Sequence, residues 1–149
     1  MNIVPSGFVR VRYKGVTRIS GASGPISVIL LQDDNERTIA IPVHPFEADL
    51  FYRSLQVNDE NPQPYRSLLN CLKVLGVKLN AVHILYTDQL DFQTYLILNT
   101  NEGDKLEINV NCSEGIAYAE LSGAPVYVAE KIMADISAGS AILPQSPPA

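Results

Sequence analysis

Between Lys105 and Val128 the chain holds a strand, a helix start, a helix stop and a second strand in one short run, and this order restricts the fold most. Leu106, Ile108 and Val110 alternate with Lys105, Glu107, Asn109 and Asn111. That period of two predicts a strand with one buried and one wet face. Ser113 is placed to cap a following helix. Glu114 suits the positive end of its dipole, and Ala117 and Leu121 give it a small apolar stripe. Gly123 stops the helix, and Pro125 launches the short β-branched strand Val126-Tyr127-Val128, expected to join the same sheet. Asn109, Asn111 and the unpaired amides before Ile116 are then expected to converge at a strand-to-helix mouth, where an anion can be held. A capped helix that binds only water accounts for the same residues.

The rest of the chain supplies sheet and cover. Phe8 to Val16 reads as a first strand, Ile26 to Leu31 as a central strand buried on both faces, and Arg37 to Val43 as its hairpin partner across Asp33-Asp34-Asn35-Glu36. Pro45 opens a helix over Phe46 to Gln56, expected to bury Phe46, Leu50, Phe51 and Leu55. After a proline-punctuated connection, a second helix from Tyr65 places Leu68, Leu69, Leu72 and Leu75 at helical spacing, and Gly76 ends it. Val77 to Tyr86 and Phe92 to Thr100 form a second hairpin, joined by Thr87 to Asp91, that leads into the strand at Lys105. The expected class is α+β, with mixed or antiparallel sheet in two strand meanders, each packed with helices. One compact domain spans 1–136, and 137–149 is a Ser/Ala/Pro tail without periodicity.

Composition narrows the function. The chain has 149 residues, 46% of them hydrophobic, and a net charge of −5 with a pI near 4.9. One domain with a sizeable core fits this length. Coating nucleic acid by charge alone does not, because that mode needs a basic field. A local basic stripe survives at Arg10, Arg12 and Lys14, which also reads as charge protecting a sheet edge. Cys71 and Cys112 lack metal-ligand spacing, which points to free thiols in a reducing compartment, and a disulfide stays open. No stretch has the length of a membrane span and no secretory signal is visible, so the expected setting is cytoplasmic.

Motifs that carry chemistry are sparse. His44 and Glu47 flank the start of the first helix, where capping and the helix dipole account for both as well as acid-base or metal chemistry does. His83 sits in an apolar strand and reads as packed. Asp88 and Asp91 belong to a turn. There is no glycine-rich phosphate loop, nucleophile elbow or Cys-x-x-Cys pair.

The order of segments from Ile39 to Ile136 resembles the bifunctional nuclease domain family. An apolar strand runs into Pro45-Phe46-Glu47-Ala48, a Leu-rich helix ends at Leu75-Gly76-Val77, and Phe92 to Leu98 follows. Ser113-Glu114-Gly115-Ile116-Ala117 is similar to the family's Ser-Asp-Ala-Ile-Ala. Gly123-Ala124-Pro125-Val126-Tyr127-Val128-Ala129-Glu130 is similar to its Gly-Ala-Pro-Ile-Phe-Val followed by an acidic residue. The resemblance implies an α+β domain, often dimeric, from a family credited with cleaving DNA and RNA. The departures fall on polar positions. Asn109-Val110-Asn111-Cys112 replaces Asp-x-Arg-Pro, and Pro64-Tyr65-Arg66 replaces Thr-His-Asp. The expectation is therefore at most weak phosphodiester hydrolysis, with Glu47 and Glu114 as catalytic carboxylates and Asn109, Asn111 and Ser113 holding phosphate. The cofactor is left open, a divalent metal being compatible with activity, and its ligands are unassigned. The alternative is a catalytically silent binding or assembly subunit that keeps the fold and engages a homodimer or protein partner.

Overall fold

The structure, a computed structural model, describes residues 4–56, 64–86 and 91–137. The expected turn residues Thr87 to Leu90, most of the connection before Pro64, and the tail beyond Ser137 lie outside this set. Seven strands form one sheet: β1 (Phe8–Gly21), β2 (Gly24–Asp33), β3 (Thr38–Val43), β4 (Lys78–Tyr86), β5 (Phe92–Asn99), β6 (Lys105–Val110) and β7 (Val126–Ala129). Their order is β3-β2-β1-β7-β4-β5-β6. The two meanders are thus halves of a single sheet, joined by β7. This short strand pairs antiparallel with β1 and parallel with β4, placing Val126 beside both Val11 and Val82. Because both neighbours are hydrogen-bonded to it, β7 is buried along Val126, Tyr127 and Val128 despite having four residues.

Helices α1 (Pro45–Ser54), α2 (Pro64–Val74), α3 (Cys112–Ser122) and α4 (Glu130–Ser137) all send their buried side chains into one core. Phe51, Tyr65, Ile116, Ala117, Tyr118, Ile132 and Met133 meet Val11, Ile29, Leu31, Ile39, Ile41, Val82, Ile84, Leu96 and Leu98 there. On the opposite face of the sheet Ala81, Ile97 and Tyr127 form a second, smaller cluster under Phe8 and Tyr95. α3 lies closest to the sheet, over β4 and β5, and is flanked by α1 and α2. Gly115 allows this approach, since a Cβ there would stand 2.6 Å from Thr94 Cγ2.

Four expectations are corrected. β1 is interior only where β7 pairs with it, along Phe8 to Val11, so Arg10 does not protect an edge, whereas Arg12 and Lys14 stand where, among the described residues, β1 is paired with β2 alone. The stripe is also interrupted, because a β-bulge at Lys14 shifts the register between Tyr13 and Gly15. The expected buried face of β6 is wet. Leu106 and Ile108 are 44% and 45% exposed, because β6 is an edge strand beyond the cover of α3. Phe46 is 69% exposed, and Leu68 on α2 and Leu75 just beyond its end face outward while Tyr65, Leu69 and Leu72 pack. α2 is an outer helix held against α3 and α1, so only one side of it meets apolar partners. Finally, α3 begins earlier than expected: Asn111, not Ser113, is its N-cap. No described helix is long and apolar enough to cross a membrane.

Candidate active site at three helix starts

The first turns of α1, α2 and α3, three helices that pack against one another, carry Glu47, Tyr65, and Ser113 with Glu114. At α1, His44 caps the helix by accepting from the Phe46 N–H at its Nδ1 (3.1 Å), and Pro45 occupies the first helical position. His44 is thereby engaged with the backbone. Glu47, in the first turn, is left half-buried on the inner side. At α2, Tyr65 is the only residue of the helix that is fully buried. At α3, Asn111 makes no side-chain capping bond, so the first amides of that helix keep their donors unused by a cap. Ser113 is 2% exposed and Glu114 is half-buried.

The hydroxyl of Tyr65 is the meeting point. Burial raises its pKa above the ordinary phenol value, the charges of Glu114 and then Glu47 raise it further, and a hydrogen bond with Ser113 works the other way. Tyr118, one turn after Glu114, donates its hydroxyl to Glu114 Oε2 at 2.5 Å. Its pKa is driven far up by burial first, then by that bond and the Glu114 charge. The two rings meet edge to face, 5.4 Å apart at 87°. Both phenols therefore stay protonated at neutral pH. The cluster presents O–H donors and carboxylate acceptors side by side, a set that can hydrogen-bond a phosphate, orient water or hand over a proton.

Not every expected residue belongs to this cluster. Asn109 stands on the helix-free face of the sheet, opposite Tyr95, where its Nδ2 donates to Gln93 Oε1 at 2.8 Å. It does not converge with Ser113. The hydroxyl of Ser113 is turned inward to Tyr65 rather than outward to solvent. Asn111 is exposed at the mouth of α3. His83 is half-buried on the helix-free face, between Phe8 and Tyr127. Among the described residues, no group of three or more His, Cys, Asp or Glu side chains is arranged to hold a metal.

Sequence reasoning passed over Tyr65 and Tyr118. Two signals were available. Tyr118 lies four residues after Glu114, on the same helix face. Tyr65 stands where the resembled motif carries His, so a protonatable group was exchanged for another rather than lost.

An α+β domain with all its helices on one side of a mixed sheet, and with carboxylates and phenols gathered at three helix starts, is the class these features define. The chain belongs to the bifunctional nuclease domain family, whose pattern it matches over residues 28–140. No curated protein matches it closely enough to compare. The family is nuclease-like in function, and its match takes in α1, α2 and α3 with every residue of the cluster.

Proposed function

We propose that the chain is a nuclease-like domain with at most weak phosphodiester hydrolysis of DNA and RNA, performed at the Glu47–Tyr65–Glu114 cluster. The observation that carries this reading is the packing of α1, α2 and α3 against one another with Glu47, Tyr65 and Glu114 in their first turns and Tyr118 donating to Glu114. Glu114 and Glu47 are the groups that orient and deprotonate an attacking water, and the protonated Tyr65 is a donor for a phosphate oxygen or a leaving alkoxide. Exposed Asn111 and the free amides of the α3 start receive the phosphate. Asn109 reaches it only from across the edge of the sheet, and Ser113 acts by fixing the Tyr65 hydroxyl. A hard divalent cation such as magnesium or manganese would have Glu47 and Glu114 as its carboxylate ligands, fewer than the three that a resident metal group takes. Bound there, the cation would supply charge neutralisation at phosphate. Weakness follows from the substitutions, because amides at 109 and 111 bring neither charge nor basicity. A cytoplasmic setting accords with two free cysteines.

A second reading, the silent assembly subunit, is favoured by one observation. Leu68 and Val74 on α2, Leu75 just after it, and Leu106 and Ile108 on β6 are all large, apolar and exposed. A homodimer or protein partner would cover them. Incubation of the purified chain with labelled single-stranded DNA and RNA, with magnesium, manganese or chelator, separates the readings. Slow cleavage that disappears in Glu114→Gln and Glu47→Gln supports the first. Complete inactivity with a stable dimer that Leu106→Ser dissociates supports the second.

A further inference from the structure

We propose that the helix-free face of the sheet is a stacking surface for a single strand of nucleic acid. The inference rests on the nuclease-like reading for its ligand class and goes beyond it by assigning a separate binding surface. The strand registers put Arg10 beside Tyr127, Tyr127 beside His83, His83 beside Tyr95 and Tyr95 beside Asn109. These five side chains form one transverse row across β1, β7, β4, β5 and β6, roughly 19 Å long at the usual strand spacing. Three of the five are rings, of which Tyr127 is buried and supports the other two, with a cation at one end and an amide at the other.

Phe8 adds a fourth ring, 4.8 Å from His83, and His83 lies 5.8 Å from Tyr127. A cavity of about 430 Å³ opens among Phe8, His83, Leu85, Tyr95, Ile97 and Glu107, a volume that admits a planar base. Tyr95, Phe8 and His83 are half-buried, with part of each ring left to solvent. The imidazole is kept neutral, since burial and then the nearby Lys105 lower its pKa against the opposing Glu107. A neutral ring is suited to stacking.

Charge bears on the occupant. Arg10 is exposed at one end of the row and Lys105 is exposed on this face further along β6, while the cavity itself is lined by one carboxylate, Glu107, and no cation. Cations flanking a row of rings fit phosphates flanking unstacked bases, the arrangement by which flat sheets hold single strands. A duplex offers no free base faces to such a row. The row also ends at Asn109, two residues before the exposed cap Asn111 of α3, so a strand laid along it points towards the carboxylate cluster on the other side.

Fluorescence anisotropy of a labelled mixed-sequence strand of about ten nucleotides, with chelator present so that no hydrolysis intervenes, tests the surface. The expected result is saturable binding that is weaker for the duplex of the same sequence. Arg10→Glu and Tyr95→Ala should each weaken it by about tenfold or more. Tyr95→Phe should restore it, and Arg53→Glu on the helix side should leave it unchanged. Arg10 is exposed, so its variant reports even if Tyr95→Ala misfolds. Absent binding, equal affinity for duplex, or insensitivity to both substitutions would overturn the proposal. So would conversion of a dimer to monomer by Tyr95→Ala without strand binding, which would make this face a contact between two copies. Loss of hydrolysis in Glu114→Gln with strand binding intact would leave the surface standing and bear only on the catalytic reading.

Discussion

The guanidinium of Arg37 grips the carboxylate of Glu130, 93 residues later, through Nη1–Oε1 at 2.9 Å and Nη2–Oε2 at 3.0 Å. Its Nε also donates to Asp33 Oδ2 at 2.6 Å. Asp33 in turn accepts from the backbone N–H groups of Asn35 and Arg37, which fixes the β2–β3 hairpin. One side chain thus ties that hairpin to the start of α4. The acidic residue closing the Gly-Ala-Pro segment is therefore structural in this chain.

Removing the grip should be costly. Asp33 is 8% exposed, and Arg37→Met leaves its carboxylate without a counter-charge. The expected loss is about 2 kcal/mol, below that of a fully enclosed pair because Glu130 is half-open to water. Urea unfolding measures it, and Glu130→Gln should cost less than Arg37→Met.

The same cluster sets an acid limit. Burial alone would raise the Asp33 pKa, but the hydrogen bonds and charge of Arg37, with the Asn35 N–H, outweigh it and hold the carboxyl below its usual range. The Arg37 hydrogen bonds lower Glu130 likewise, against burial. A depressed folded pKa means that the unfolded chain takes up protons first as pH falls. This contribution is therefore complete above about pH 5 and is lost as pH drops through the folded values. Thermal unfolding from neutral pH to pH 3 should show an acid limb that is flatter in Arg37→Met.

Gly115 makes a sharper packing test. A Cβ at this position would lie 2.6 Å from Thr94 Cγ2 and 3.2 Å from Val82 Cγ1, and both belong to strands beneath α3. Gly115→Ala should destabilise by about 1–2 kcal/mol, overpacking outweighing the gain in helix propensity. Thr94→Ser removes the offending methyl, so the double variant should recover at least about 0.5 kcal/mol of that loss. Additive effects in a double-mutant cycle would contradict the close approach.

The two thiols should differ in reactivity. Burial pushes the Cys112 thiol up to about 12, against a smaller lowering by the nearby Thr94 side chain, whereas Cys71 is exposed on α2. Iodoacetamide at neutral pH is expected to modify Cys71 rapidly and Cys112 only on unfolding. Mass mapping of the alkylated peptides checks this.

Much of the architecture is written locally. A continuous apolar run marks β2, period-two alternation marks β3, Pro45 opens α1, and Gly123, at φ 80°, closes α3 by donating to the Ala119 carbonyl. What alternation does not contain is coverage. Leu106 and Ile108 have the pattern of a buried face, yet burial depends on whether a helix lies above, and α3 stops short of the edge. Leu68 and Leu75 mislead for the same reason. The parallel pairing of β7 with β4 joins segments far apart in the chain and leaves no local mark. In the site, Glu47 and Glu114 were legible from their helix starts. The Tyr65 hydroxyl was not, because an aromatic residue at helical spacing reads first as core, and only the fold shows which carboxylates surround it.

The most direct test of the central claim is the rate of single-strand cleavage by the wild-type chain and by Tyr65→Phe, a change that deletes one oxygen and keeps the buried ring. Weak hydrolysis in magnesium or manganese that falls by about 10²-fold or more in Tyr65→Phe, with the melting temperature retained, is the predicted result. Cleavage that proceeds undiminished in Tyr65→Phe and in Glu114→Gln would place the chemistry elsewhere in the molecule and contradict it.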